Sequence, residues 1–172
     1  RSDIERLMAT PVTLLDNMYE VSLTNSNPLL HPSRLYSMWK DWKPGDVYSR
    51  NSMFYEEWTE EAAAIYIAMD NELSLLLRVL PVSPGCIPGV LEYYESTDAA
   101  SLAAKLRSIE AFKGIPSPMK KVDGGYVPDF SSRYFTEDFP YGLAIIRNLA
   151  KEKHIPCPVI DKVYEWGMSK IS

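Results

Sequence analysis

From Thr13 to about Met38, apolar residues recur in a helical pattern as Leu14, Leu15, Met18, Val21, Leu29, Leu30, Leu35 and Met38, with polar residues between them. That period belongs to a helix with one buried face. Pro28 and Pro32 interrupt it. Each removes a backbone donor and crowds the preceding turn, so a kink or break is expected near Asn27–Pro32. Residues 41–53 have the composition of a loop. Residues 54–80, FYEEWTEEAAAIYIAMDNELSLLLRVL, predict one long helix that Pro81 and the PVSPGCIPG stretch terminate. Asp98 suits the N-cap of a helix over 98–112, whose Leu102, Leu106 and Ile109 share a face. The Gly- and Pro-rich stretch 113–132 reads as irregular. A further helix is expected from near Thr136 to Ile155–Pro156, and a last one from Val159 to about Lys170. No strand series and no internal repeat stand out. The expected fold class is all-α, with residues 1–12 a linker and 13–172 one helical domain.

Composition narrows the function classes. A chain of 172 residues that is 46% hydrophobic and 24% charged has enough apolar material for a sizeable core. The net charge of −5 argues against nucleic acid, whose partners usually carry a basic face. No apolar run approaches the ~18 residues of a membrane span, and RSDIERLMATP lacks the pattern of a secretory signal. Cys86 and Cys157 are far apart and lie in no CxxC, so neither a zinc site nor a disulfide framework is expected, and a cytoplasmic location follows. The first residue is Arg1 rather than Met, which suggests a fragment or a processed product. No GxGxxG or GxxxxGK[ST] is present to cradle a nucleotide phosphate, and no HExxH to hold zinc.

The candidate chemistry is sparse. His31 sits in NPLLHPSRLY between the two prolines. Histidine titrates nearest neutrality and suits acid–base work, although a histidine that only packs at a kink satisfies the same pattern. Arg133 and Asp138 lie in SSRYFTEDFPYGL. An arginine fork binds a carboxylate through two parallel charge-assisted bonds, and an aspartate beside a histidine fixes its tautomer. The plainer alternatives are a surface ion pair for Arg133 and, for Asp138, a first-turn acid in a helix capped by Thr136. His154 is expected at a helix C-terminus in a structural role. Asp70 and Glu72 are expected on the polar face of the long helix, the four tryptophans in the core or at an interface, and Lys120–Lys121 in a solvated loop.

NPLLHPSRLY followed about a hundred residues later by SSRYFTEDFPYGL resembles the C-terminal domain of the octopine/nopaline (opine) dehydrogenase family. The lead-in TPVTLLDNMYEVSLTNSNPLLHP and the closing PCPVIDKVYEWG extend the resemblance over essentially the whole chain. It implies a helical bundle like the C-terminal domain of 6-phosphogluconate dehydrogenase, joined in the family to an N-terminal Rossmann domain. It also implies reductive condensation of an amino acid with a 2-oxo acid such as pyruvate, using NADH or NADPH. By the same resemblance His31 and Asp138 form the catalytic pair, Arg133 binds a substrate carboxylate, and Asn27, four residues before His31, belongs to the substrate site. The Rossmann half is missing from this sequence, so NAD(P)H binding and activity are not expected of this piece alone. A homodimer is compatible with the resemblance.

Two other readings stay open on the sequence. One is a related oxidoreductase acting on a hydroxy acid or a metallophore-type imine. The other is a non-catalytic binding or dimerisation module in which His31, Arg133 and Asp138 never meet. The first requires the His31 ring within hydrogen-bond reach of Asp138, with Arg133 at the same cleft.

Overall fold

The proline-interrupted pattern resolves into two helices, α2 (Met18–Leu23) and α3 (Asn27–Trp39), in a computed structural model that describes residues 2–171. A short α1 (Ser2–Met8) precedes them. The break falls at residues 24–26, ahead of the expected interval. Pro28 stands in the first turn of α3, where a missing donor costs nothing, and the helix runs on through Pro32. His31 therefore lies inside a continuous helix rather than at a kink. From Pro28 to Leu35 every residue of α3 is buried, and the helix packs against α4, α9 and the segment 138–143 described below.

The long helix starts later than its composition predicts. Helix α4 spans Glu60–Leu77 with Thr59 as N-cap, its hydroxyl accepting from the Ala62 N–H at 3.1 Å. Residues 54–58 form a turn instead, with Phe54, Tyr55 and Trp58 all buried. The turn is held from α3, where the Arg34 guanidinium donates to the Phe54 and Glu57 carbonyls. Asp70 and Glu72, in the middle of α4, are not on a solvated face. Asp70 accepts the Val90 N–H at 2.9 Å and so caps α5 (Val90–Tyr93). Glu72 accepts the N–H groups of Val159 and Ile160 at 2.8 and 2.9 Å, capping α9 (Pro158–Met168). Orphan donors at two helix starts explain why acids are tolerated inside the bundle.

Helix α6 (Ala99–Ser108) opens on Asp98 as expected, with Ser101 completing a capping box. It ends earlier than expected, and a 3₁₀ turn follows at Glu110–Phe112. The stretch expected to be irregular contains a hairpin, β1 (Met119–Val122) against β2 (Gly125–Pro128). Asp123–Gly124 supplies its turn, a hairpin signal legible in KKVDGGYV. Lys120 and Lys121 thus belong to a strand, and Lys120 pairs with Asp129 at 3.1 Å. Gly125, at φ 153°, admits no side chain, because a Cβ would lie 2.1 Å from the Tyr48 carbonyl oxygen.

The predicted helix near Thr136 is three pieces: α7 (Arg133–Thr136), a π-helical turn (Asp138–Leu143) and α8 (Ala144–Glu152). Thr136 lies within α7 and is not a cap. Beyond α8, His154 takes a left-handed φ of 56°. The His154 N–H reaches the Lys151 carbonyl and the Ile155 N–H the Ala150 carbonyl, a paired closure of the helix end. That is a structural role, as expected. Trp39 and Trp58 are fully buried, Trp42 and Trp166 pack against the same core, and both cysteines are free thiols. Apart from the hairpin the architecture is all-α. Among the described residues no helix is long and apolar enough to cross a membrane.

Candidate active site

His31 is the fifth residue of α3 and only 8% exposed. Its Nδ1 lies 2.7 Å from Oδ2 of Asp138, a contact across 107 positions of sequence. Its Nε2 lies 2.8 Å from the Tyr55 hydroxyl. The rings of Tyr134 and Phe54 meet the imidazole edge-on, at centroid distances of 4.7 and 5.7 Å. An ionised carboxylate only accepts, so the Nδ1 hydrogen points at Asp138; in the neutral ring Nε2 then accepts from Tyr55. Burial pushes the Tyr55 phenol well above its ordinary range, with Tyr134, Tyr94 and Asp138 adding to the effect. Tyr134 is raised for the same reasons, burial first and Asp138 second. Both phenols therefore keep their protons.

The π-helical turn is what brings Asp138 to α3. Pro140 has no N–H for the Thr136 carbonyl, and the chain widens there by one residue. Phe139 and Leu143, both fully buried, anchor the widened turn. Gly142 lets it press on α3, since a Cβ there would lie 3.0 Å from Cγ of Pro28. Asp138 keeps some exposure, its side chain 21% accessible. It opens on a cavity of about 220 Å³ that Glu137, Tyr141, Asn25 and Pro28 also line. His31 thus lies on the dry side, against the aromatic rings, and Asp138 between it and the cavity.

The other two predicted site residues stand apart from the pair. Arg133 begins α7 with its side chain 85% exposed, and its fork closes on both Glu137 carboxylate oxygens at 2.7 and 2.9 Å. That ion pair raises the arginine's pKa and lowers the glutamate's. Arg133 reaches the cavity through Glu137, which lines it, rather than directly. Asn27 is exposed at the first position of α3, one turn before His31. Neither makes a hydrogen bond to His31 or Asp138. Sequence reading missed Tyr55, Tyr134 and Glu137. The crowded aromatics of FYEEW were the one signal for Tyr55, hidden by the expectation that they belonged to a helix.

The described residues contain no Rossmann-type unit. Their strands form a single antiparallel hairpin, so there is no strand–glycine turn–helix unit to hold a pyrophosphate. Nor do they contain a cluster of three or more His, Cys, Asp or Glu placed to hold a metal ion.

Comparison with known proteins converges on one group. The family described as NAD/NADP octopine/nopaline dehydrogenase, alpha-helical domain, matches residues 14–171. The chain is 34% identical to tauropine dehydrogenase of Arabella iricolor over 161 residues, 86% of this chain and 40% of that protein. It is 31% identical to opine dehydrogenase of Haliotis discus hannai over 181 aligned residues, 98% of this chain and 44% of that one. A solved octopine dehydrogenase with NADH and pyruvate superposes with a TM-score of 0.85 at 27% identity, covering 99% of this chain and 44% of the other. Its counterpart with NADH and L-arginine gives 0.82 at 28% identity, with 99% and 45% covered. The chain spans less than half the length of these relatives.

Proposed function

Because the chain belongs to the octopine/nopaline dehydrogenase family, of which it represents the alpha-helical domain, we propose that it is the substrate-binding half of an enzyme that reductively condenses an amino acid with a 2-oxo acid. The observation that carries this reading is the 2.7 Å contact of His31 with Asp138, whose carboxylate lines a cavity. In a non-catalytic module nothing requires a histidine and an aspartate to meet there.

The assigned roles follow from the chemistry of each group. The amine of the amino acid adds to the oxo carbon, and the resulting hydroxyl must leave as water. His31 in its charged form gives that hydroxyl a proton, and Asp138 holds the ring and compensates its charge during the transfer. Arg133 exchanges the Glu137 carboxylate for that of the oxo acid, a swap of like partners that leaves the fork satisfied throughout. Asn27, on the His31 side of α3, borders the amino-acid end of the site. The reductant of the relatives with solved structures is NADH. In this reading a nucleotide-binding domain outside this chain supplies the main part of its site. The helical domain alone is then inactive.

The test is NAD(P)H oxidation by the full-length enzyme with pyruvate and a panel of amino acids. His31→Ala is expected to lower turnover by roughly 10²–10⁴-fold. Arg133→Ala is expected chiefly to raise KM for the oxo acid. Parent-like turnover in His31→Ala would remove the acid–base assignment, and an unchanged oxo-acid KM in Arg133→Ala would remove the clamp. Oxidation that needs an oxo acid but no amine would point to hydroxy-acid chemistry instead.

A further inference from the structure

Asp138 holds one nitrogen of His31, which leaves Nε2 as the nitrogen that exchanges a proton in the acid–base reading. In this structure Nε2 meets the Tyr55 hydroxyl at 2.8 Å, and that is the hydroxyl's one hydrogen bond among the described residues. Tyr55 has little freedom to swing away. Its ring stacks on Phe112 at 4.1 Å and lies nearly parallel to Trp58 at 6.0 Å.

The turn that carries Tyr55 is itself gripped from α3. Arg34, one helical turn beyond His31, donates from Nε to the Phe54 carbonyl at 3.1 Å and from Nη2 to the Glu57 carbonyl at 2.8 Å. Arg34 is 3% exposed, and burial pulls its pKa down to about 10. An arginine buried on backbone carbonyls is an unfavourable way to stabilise a loop, because its charge gains no direct carboxylate partner there. Here it ties the turn bearing Tyr55 to the helix bearing His31, on the same face.

We propose that Tyr55 is a positioning residue for the His31–Asp138 pair. Its hydroxyl donates to Nε2 of the neutral ring, accepts from Nε2–H of the charged one, and holds the imidazole in line with Asp138 in both states. Arg34 acts one step further out by holding the Tyr55 turn. This inference rests on reading His31 and Asp138 as the acid–base pair.

The experiment compares Tyr55→Phe, His31→Ala and the double variant in the full-length enzyme, with pyruvate and the amino-acid panel. Phenylalanine keeps the ring stacking and removes only the hydroxyl. Tyr55→Phe is expected to lower kcat about tenfold, the effect of one positioned hydrogen bond. KM for pyruvate should stay within about twofold and the melting temperature should fall by only a few degrees. In the His31→Ala background the same substitution should have no further effect. Unchanged kcat in Tyr55→Phe, or an undiminished tenfold loss in the His31→Ala background, would overturn the proposal. Parent-like turnover in His31→Ala alone would instead sink the acid–base reading, and this inference with it. Nitrogen NMR of His31 gives a readout independent of turnover. The neutral ring should carry its hydrogen on Nδ1 in the parent and show a mixture of tautomers in Tyr55→Phe. A hydrogen on Nε2 in the parent would refute the donor assignment.

Discussion

Gly167, in the last turn of α9, touches neither His31 nor Asp138, yet a single methyl group there should disturb both stability and catalysis. A Cβ at this position would lie 2.0 Å from Cε1 of Phe139 and 2.1 Å from its Cδ1. Phe139 is fully buried, stacked on Phe135 at 5.5 Å and flanked by Trp166 at 6.1 Å. Its ring has no free direction in which to yield, and Asp138 is its chain neighbour. Gly→Ala in a helix ordinarily stabilises by up to ~1 kcal/mol. Overpacking a tight core costs ~1–3 kcal/mol, and so close an approach belongs at the upper end. Gly167→Ala should therefore lose about 1–2 kcal/mol, or about 2–8 °C in melting temperature for a chain of this size. The ring must move by roughly 1 Å or more, and a shift of that size at Asp138 should reduce turnover by about 10–10²-fold. Differential scanning calorimetry of this domain and steady-state kinetics of the full-length enzyme give the two numbers. A variant that melts at or above the parent and turns over normally would show that the π-helical turn is not braced by α9.

Three further substitutions probe the supports of the fold. Glu72→Ala leaves the buried N–H groups of Val159 and Ile160 without an acceptor. Urea denaturation should register a loss of about 2–4 kcal/mol, with a smaller loss in Glu72→Gln; less than about 1 kcal/mol would show that the cap is dispensable. The Arg50 fork, with help from the Met53 N–H, holds the Glu57 carboxyl down at about 2. A depressed folded-state pKa gives stability that is complete above the unfolded value of about 4.3 and drains away as pH falls towards about 2. Glu57→Gln should flatten the fall in urea midpoint across that interval, and an unaltered slope would locate the acid sensitivity elsewhere. His154→Gly relieves a left-handed conformation that costs a residue with a side chain ~1 kcal/mol or more. It should raise the melting temperature by a few degrees, and a fall would mean that the imidazole contributes more than its backbone strain costs.

How much of this was legible beforehand depends on whether the relevant partner is local. Helical period located α3, α6, α8 and α9, and Asp98 announced its own capping role, because the groups it satisfies lie three residues away. The resemblance of the two motifs paired His31 with Asp138 before any geometry was in view. The hairpin turn Asp123–Gly124 is also written locally, but the surrounding glycines and prolines carry the composition of a loop and mask it.

What only the tertiary structure decided has partners far away along the chain. Asp70 and Glu72 both read as ordinary acids on a helix surface, and neither shows that it closes another helix 20 or 87 residues further on. The late start of α4 places Tyr55 in a turn, where its hydroxyl can reach His31, and that depends on Arg34 holding the turn's carbonyls. Widening of the chain at Pro140 is a local consequence of a missing donor, but its bearing on Asp138 appears only once α3 and α9 close around it. Periodicity reports which side of an element is apolar. It carries no record of which distant atom comes to lie against that side, and in this protein those atoms shape the site.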